Sequence, residues 1–288
     1  MHLKSVLPRM LILSAAALSV LSFSACAQGT PVKTRIPEIG KSVASGETVR
    51  IAEEFSTQPA PATQTDEQAA GNQADGLVQN GQTACYYQNG TLQKDGIVGS
   101  TTDGYYYADG NGTINFGYSD GVTVDGVNWI VIEGKATQVE TDADNALFQA
   151  AKYVAKVTDT NMTHEQKLRA CFDNIKNDFL EGVLQDPDFF TVEWPITYAN
   201  DFFTTGRGDC YSYGASFAFM AKAIGYTEVY AMNSGGHGWA EVDGKYYDPE
   251  WDKHHLDFDH YAMDPKGQLD IDYAGGVAAG YDWMRVKL

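Results

Sequence analysis

The sequence predicts an α+β fold in which a small β-hairpin segment precedes helices packed on an antiparallel sheet. Three observations predict it. Residues 83–140 alternate β-prone runs with Asn-Gly and Asp-Gly turns, residues 143–184 have helical periodicity, and residues 204–252 have the pattern of one helix followed by strands. The chain has 288 residues, enough for one large domain or two modest ones. We expect residues 141–288 to form the main domain.

The composition excludes two classes of partner. The chain carries 20 Lys and Arg against 38 Asp and Glu, a formal net charge of −18. A nucleic-acid partner is not expected, because neutralising phosphates requires a surplus of basic residues. Docking on anionic lipid through basic patches is excluded for the same reason. The four cysteines are too few for a disulfide scaffold but sufficient for a reactive thiol.

Residues 1–26 have the pattern of an export signal. Two basic residues precede an apolar run, 10–23, which has the length of a signal-peptide core and is short for a membrane span. Residues 23–26 resemble a bacterial lipobox in which Cys26 is lipidated, whereas the A-x-A triplet ending at Ala27 is a site for plain cleavage. We therefore expect an extracytoplasmic bacterial protein, either a lipoprotein anchored to the membrane through Cys26 or a secreted protein.

Residues 27–80 predict a disordered tether. They are rich in Ala, Gln, Thr, Pro and Gly, and they lack the apolar periodicity from which a core is built. A tether beside a lipid anchor would hold a domain clear of the cell wall. An unstructured leader without that role is the alternative.

Residues 81–140 predict a small β-rich segment. Asn-Gly and Asp-Gly pairs favour two-residue hairpin turns, because both central residues of a type I′ turn need positive φ. Two Tyr-rich phrases, 86–92 and 105–114, look related and suggest a degenerate hairpin repeat. The pairs are Asn89-Gly90, Asp109-Gly110, Asn111-Gly112, Asp120-Gly121 and Asp125-Gly126.

The β-rich segment also resembles the aromatic- and Gly-rich cell-wall-binding repeats of Gram-positive surface proteins. That resemblance implies binding of carbohydrate or wall material by aromatic side chains. The segment has a single Trp, Trp129, and its spacing drifts. The alternative is a β meander that packs on the next domain.

Two helices are predicted before the main motifs. Leu147 and Val154 belong to a helical apolar pattern, and Thr163 begins a second helix with a capping-box sequence. The second helix has an apolar stripe that contains Cys171. We interpret Cys171 and Cys85 as packing residues, with a disulfide between them as the alternative in an exported protein.

Cys210 is predicted to begin a helix. Residues 204–209 are polar and Gly-rich, which favours a loop, and residues 210–224 are compatible with a helix that ends at Gly225. At a helix N-terminus the macrodipole and the free amides favour a thiolate. The same amides can hold an oxyanion, so the backbone N–H of Cys210 is a candidate oxyanion donor.

Strands are predicted after this helix. They cover residues 228–232, 238–242 and 245–248, and the Asp-Gly pair at 243–244 turns the second strand into the third. This hairpin brings His237, which precedes one strand, near Asp248 at the end of its partner. Asp248 would orient the imidazole of His237, which would take the proton from the thiol.

These residues carry a resemblance to the transglutaminase-like superfamily. The motifs are Gly208-Asp209-Cys210 at a helix start, His237-Gly238-Trp239 in a strand, and Tyr246-Tyr247-Asp248-Pro249 at a strand end, and the resemblance covers about 160–252. It implies a papain-like core with Cys210, His237 and Asp248 as the catalytic triad. Residue 214 is Gly where the family's helix often has Ala, a change that we expect to be harmless.

The resemblance also implies a mechanism through an acyl-thioester. Cys210 would attack a peptide or carboxamide carbonyl, and His237 would protonate the leaving amine. Water would then give a protease or amidase, and lysine would give a cross-linker; we expect hydrolysis in preference. The substrate would be a protein or peptide, including cell-wall peptide. The second oxyanion donor is open between Trp194, Tyr198 and Tyr211, and Trp239 is expected to pack beside His237.

No cofactor and no metal are expected. The tail contains several His and Asp residues, but their spacing matches no tight site and predicts a solvated loop. Residues 281–288 predict a final strand. A noncatalytic wall-binding or scaffold protein that retains the fold is the alternative function. The tail residues considered as metal ligands are His254, His255, Asp257, Asp259 and His260.

Overall fold

The computed structural model describes residues 75–184, 191–265 and 284–288. The predicted export signal with Cys26, and most of the predicted tether, lie outside the described residues. Within them the chain is α+β, with antiparallel sheets and several helices, so the predicted fold class is confirmed. None of the helices in these ranges has the length and apolarity to cross a bilayer.

Two antiparallel sheets form the N-terminal part. In the first, β1 (Gly76–Asn80), β2 (Thr83–Gln88) and β3 (Thr91–Gln93) are neighbours in that order, and β6 (Ile114–Asn115) pairs with β2. The second has the order β4 (Gly96–Ser100), β5 (Gly104–Ala108), β9 (Lys135–Gln138), β8 (Val127–Ile132) and β7 (Asp120–Val124). The two related Tyr-rich phrases form different structures, since 86–92 is a hairpin and 105–114 spans β5 and β6, which lie in different sheets.

Two of the predicted hairpin turns form as expected. The pairs at 89–90 and 125–126 have positive φ at both residues and join β2 to β3 and β7 to β8. The predicted turn at 120–121 is wrong, because both residues lie inside β7. A Cβ at Gly121 would lie 2.4 Å from the carbonyl oxygen of Phe148, so this glycine lets β7 pack against a helix.

Five helices lie in the described ranges. They are α1 (Asp142–Val157), α2 (His164–Asp178), α3 (Trp194–Thr205), α4 (Cys210–Ile224) and α5 (Pro249–His254). Helix α2 begins with the predicted capping box, in which Thr163 and Gln166 satisfy each other's backbone N–H. Helix α3 was not predicted, because its aromatic and Thr residues are weak helix formers. Packing stabilises it through the buried Trp194, Tyr198 and Phe202.

A third antiparallel sheet lies beside the helices. Its order is β14 (Lys245–Tyr247), β13 (Gly238–Val242), β12 (Val229–Asn233) and β15 (Met284–Lys287). The turn at 243–244 has positive φ at both residues, as predicted. Strand β15, which is the described part of the predicted final strand, is held by the two hydrogen bonds that Arg285 donates to Glu241, both 2.8 Å long. Outside this sheet, β10 (Leu180–Glu181) and β11 (Arg207–Gly208) form a short parallel pair. Strand β11 lies in the predicted loop, whereas β10 lies in the stretch predicted to be helical, because α2 ends at Asp178.

Helix α4 is the centre of the core. It is apolar nearly all round, as a fully buried helix must be, and it packs against α1, α2 and α3 and against β12 and β13. Cys171 in α2 is a buried free thiol, so a disulfide with Cys85 is excluded. Cys85 is buried in β2. Cys171 therefore has the packing role expected for it, whereas Cys85 is disulfide-bonded, so the interpretation of Cys85 as a packing residue alone is wrong.

Helix α4 and strand β13 touch through their backbones. A Cβ at Gly214 would lie 2.7 Å from the Cα of Trp239, and one at Gly238 would lie 2.8 Å from the Cα of Tyr211. Any side chain at either position must therefore push the helix and the strand apart. Glycine at 214 thus fits this close approach, and an alanine there would not.

Candidate active site

Cys210 is the first residue of α4 and its side chain is partly exposed. Asp209 caps the helix and accepts a hydrogen bond from the backbone N–H of Ser212 at 3.2 Å. Burial raises the pKa of Asp209, which the bonds from Ser212 oppose. Gly208 is required before the cap, since a Cβ there would lie 2.2 Å from the Cβ of Ser212. The thiol therefore lies at the positive end of a buried helix.

Asp248 connects the imidazole to a short helix. One carboxylate oxygen, Oδ2, is 2.5 Å from Nε2 of His237, and the other, Oδ1, accepts the backbone N–H of Trp251 at 2.9 Å and caps α5. Asp248 is fully buried. With both oxygens engaged, the carboxylate has a fixed orientation, and so does the ring that it holds.

His237 lies in a tight turn between β12 and β13. The backbone N–H of His237 donates to Oγ of Ser234 at 3.2 Å, and the N–H of Ser234 donates to the carbonyl of His237 at 3.0 Å. Trp239 lies beside the ring, with centroids 6.0 Å apart. Trp251 contacts it edge-on at 4.8 Å, a contact that was not predicted. The sequence contained a signal for this contact, because Trp251 lies three residues after Asp248, which caps the helix.

The electrostatics favour an imidazolium at His237. Burial on its own would lower the pKa of His237, but the charge and hydrogen bond of Asp248, together with the hydrogen bond to Cys210, raise that pKa well above its ordinary value. Because Nε2 is bound to Asp248, Nδ1 is the nitrogen left for Cys210. Cys171 is the opposite case, since burial raises the pKa of that thiol to about 12 and keeps it protonated.

An aromatic cluster lies next to the start of α4. The rings of Trp194, Tyr198 and Tyr211 have centroids 5.6 to 5.9 Å apart. Nε1 of Trp194 and Oη of Tyr198 are buried and have no hydrogen-bond partner in the described part of the chain. Burial raises the pKa of Tyr198, and the nearby Asp209, Tyr211 and Cys210 raise it further. Two buried donors therefore lie in the aromatic cluster, and the charge of Cys210 acts on one of them, Tyr198.

A second carboxyl group, which was not predicted, lies beside the triad. Glu250 offers an oxygen within 4.8 Å of ligand atoms of His237 and Asp248. Burial raises the pKa of Glu250, and the charge of Asp248 adds to this. Glu250 also pairs with His254 at 3.5 Å, and His254 pairs with Glu181 at 3.3 Å. Glu250, His254 and Glu181 therefore form an ion-pair network beside the triad.

The tail agrees in part with the predicted solvated loop. Residues 256–259 are exposed, but His260 is only 7% exposed, and its backbone N–H donates to Asp252 at 2.8 Å. Among the tail residues considered as metal ligands, His254 is the one that lies, within the described residues, in a group of close potential ligands, with Glu181 and Glu250. The tail residues therefore do not converge on a common site.

The structure brings together the three residues singled out from the sequence. Their thiol, imidazole and carboxylate lie in a row in which the imidazole contacts both neighbours. No family model, curated protein or solved structure matches the chain. The geometry of these three side chains indicates what the site can do chemically. Such a row can deprotonate a thiol, form an acyl-thioester and deliver a proton to a leaving amine.

Proposed function

We propose that this protein is a transglutaminase-like cysteine enzyme with a papain-like core, which hydrolyses peptide or carboxamide bonds through an acyl-thioester. The observation that carries the proposal is the contact of His237 with both the buried Asp248 and Cys210 at the start of α4. A His–Asp pair that only stabilised the fold would not require a thiol at the second ring nitrogen. A cysteine that only packed in the core would not require a helix N-terminus and a neighbouring imidazole.

The first half-reaction follows from these contacts. The proton of the Cys210 thiol passes to Nδ1 of His237, and the thiolate sulfur attacks the carbonyl carbon of the substrate. As the tetrahedral intermediate collapses, the C–N bond breaks and the imidazolium returns its proton to the amine. The acyl group remains on sulfur as a thioester. Asp248 stays ionised and stabilises the imidazolium throughout.

The negative oxygen of the intermediate needs two hydrogen-bond donors. The backbone N–H of Cys210 is one, because the first amides of a helix have no partner within it. For the second donor we propose Oη of Tyr198, since it is buried, lacks a partner in the described residues and lies near enough to Cys210 for a charge there to raise the pKa of Tyr198. Nε1 of Trp194 is the alternative.

Partial exposure of Cys210 supports hydrolysis over cross-linking. Water can reach a thioester on a sulfur that is not enclosed, and His237 can take a proton from that water. We place the substrate among proteins and peptides, including those of the cell wall. An extracytoplasmic location, with Cys26 as the lipid anchor or with secretion, fits such a substrate.

The test is a peptide-library digest by the mature protein, scored for both cleavage and incorporation of an added amine. We expect cleavage, with total loss of turnover in Cys210→Ala. Cys171→Ala is the matched control, because it removes the other described free thiol and should leave turnover within about threefold of the wild type. Thiol alkylation mapped by peptide mass should modify Cys210 and spare Cys171 in the folded protein.

Equal activity of the wild type and Cys210→Ala would refute the cysteine mechanism. Absence of both products, with Cys210 unreactive to alkylation between pH 6 and 9, would favour the noncatalytic binding protein. Amine incorporation in excess of cleavage would keep the thioester mechanism and replace hydrolysis by cross-linking.

A further inference from the structure

A second concave site lies between the β-rich part and the start of α2. It is a cavity of about 600 Å³, within the range of small-molecule sites. None of the triad residues lines it. Its walls come from β2, the segment that follows β6, and the loop between α1 and α2. The site is thus separate from the chemistry proposed above.

A buried ammonium group lines this cavity. Lys167 is only 4% exposed, and its Nζ donates to the carbonyl oxygen of Gly117 at 2.6 Å. An ammonium group has three donors, so two remain after this bond. No ion pair within 4.0 Å joins Lys167 to a carboxylate of the described residues, although a buried charge is ordinarily paired.

The acidic groups near the ammonium have other partners, although Glu133 and its partner His164 line the same cavity. Glu133 pairs with His164 at 2.9 Å, and Asp159 accepts hydrogen bonds from Asn161 at 2.8 Å. Burial lowers the pKa of Lys167, and the more distant charges of Glu133 and Asp159 oppose this. The N-terminus of α2, four residues before Lys167, adds positive potential at the same wall. These features favour a negative group from a ligand.

Apart from Lys167 and the Glu133–His164 pair, the wall offers mainly neutral polar groups and one aromatic ring. Side-chain amides come from Gln82, Asn115 and Asn161, and a hydroxyl comes from Thr160. Phe116 contributes a half-buried ring. Amides and hydroxyls both donate and accept, which suits vicinal hydroxyl groups, and an aromatic face suits the C–H side of a sugar ring.

We propose that this cavity binds an acidic saccharide, whose carboxylate pairs with Lys167 and whose hydroxyl groups bond to the surrounding amide and hydroxyl side chains. The bound carboxylate would complete the pairing of a charge that the fold buries. The site would hold the protein on an acidic glycan, and it needs no catalytic activity.

The test measures binding of small sugars by calorimetry and by ligand-observed NMR, at constant ionic strength and pH 7. The probes are glucuronic acid and N-acetylmuramic acid, with glucose and N-acetylglucosamine as matched neutral sugars. Acetate and a short acetylated peptide test the carboxylate without the sugar. We expect saturable binding of at least one acidic sugar, at least tenfold tighter than its neutral partner and than acetate.

Variants of the residues that line the cavity distinguish a role of Lys167 in ligand binding from a role in folding. Lys167→Gln keeps a donor for Gly117 and removes the charge, and it should weaken the acidic sugar at least tenfold without affecting the neutral one. If this variant fails to fold, the proposed binding site is tested with Gln82→Ala and Asn161→Ala, because both residues are exposed. Each of these variants should weaken binding of the acidic sugar a few-fold. Cys210→Ala should bind the sugar like the wild type, which keeps this result independent of the proposed enzyme.

Three results would overturn the proposal. They are no saturable binding of either acidic sugar, equal binding of acidic and neutral sugars, and unchanged binding in a folded Lys167→Gln or in both exposed variants. Binding of the acetylated peptide as tightly as the sugar would reassign the cavity to peptide carboxylates.

Discussion

Replacing Gly214 by alanine tests the backbone contact on which the geometry of the site depends. The new Cβ would lie 2.7 to 2.9 Å from three backbone atoms of Trp239. Ordinary contacts are at about 3.5 Å or more, so helix α4 and strand β13 must separate by roughly 0.8 Å. The strand cannot yield easily, because it is hydrogen-bonded on both edges, to β12 and to β14.

Two opposing effects set the change in stability. Alanine is favoured over glycine in a helix by about 1 kcal/mol. Overpacking a close-packed core costs typically 1–3 kcal/mol, and a clash with backbone atoms belongs at the upper end. The difference is a loss of about 2 kcal/mol, which corresponds to a fall in Tm of roughly 4–8 °C for a domain of this size.

The effect on catalysis should exceed the effect on stability. Gly214 is one turn after Cys210, and Trp239 is two residues after His237, so separating them moves the sulfur away from the imidazole. A misplacement of about 1 Å can reduce a rate by about 100-fold. We expect kcat/KM to fall by at least about tenfold at a temperature where the variant is fully folded.

The assay compares thermal unfolding and peptide hydrolysis for Gly214→Ala and for Gly110→Ala. Gly110 is the matched control, because a Cβ there meets no atom within 4 Å and its φ is not in the left-handed region. The control should keep the wild-type Tm and rate. A Gly214→Ala protein with unchanged Tm and rate would show that α4 and β13 are not in backbone contact.

The remaining predictions concern the charge and the oxyanion donors. Asp248→Asn keeps an oxygen to cap α5 but removes the charge that raises the pKa of His237, so the alkaline limit of activity should move to lower pH. At a charge separation of about 4 Å and an effective dielectric of about 20 the lost attraction is about 4 kcal/mol, an upper bound of roughly three pH units. The pH profile of kcat/KM measures this, and a shift below about one unit would contradict the ion pair. Tyr198→Phe should lower kcat roughly 100-fold with little change in KM, and Trp194→Phe should have a smaller effect. Single-turnover rates decide between them, and if neither falls tenfold, the second donor lies outside this cluster.

The position of His237 and Asp248 was predictable because local chemistry fixes it. The Asp-Gly pair at 243–244 specifies a two-residue turn, and a two-residue turn sets the register of β13 against β14. The register places the two side chains at the same end of the hairpin. The capping box at Thr163 was predictable for the same reason, since its partners lie three residues apart.

The parts that the sequence did not predict depend on contacts between distant segments. The Asp-Gly pair at 120–121 has the same letters as a turn, yet it lies in a strand, because Gly121 lets β7 approach α1. Helix α3 forms despite weak propensity, since its aromatic side chains are buried against α4. The need for glycine at 214 likewise appears only when Trp239 is beside it. Propensity and turn chemistry contain none of this information.

Asp248 shows why an aspartate followed by a proline suits this place in the chain. Its two oxygens serve two partners, the imidazole of His237 and the first turn of α5, and Pro249 is tolerated there because the first helical residue needs no N–H donor. The helix that the carboxylate caps carries Trp251 back onto the ring of His237. Formation of α5 therefore fixes the carboxylate, and it also covers the imidazole that the carboxylate orients. One side chain thus couples the electrostatics of the site to its shielding from water, which is why the His–Asp pair can be both buried and charged.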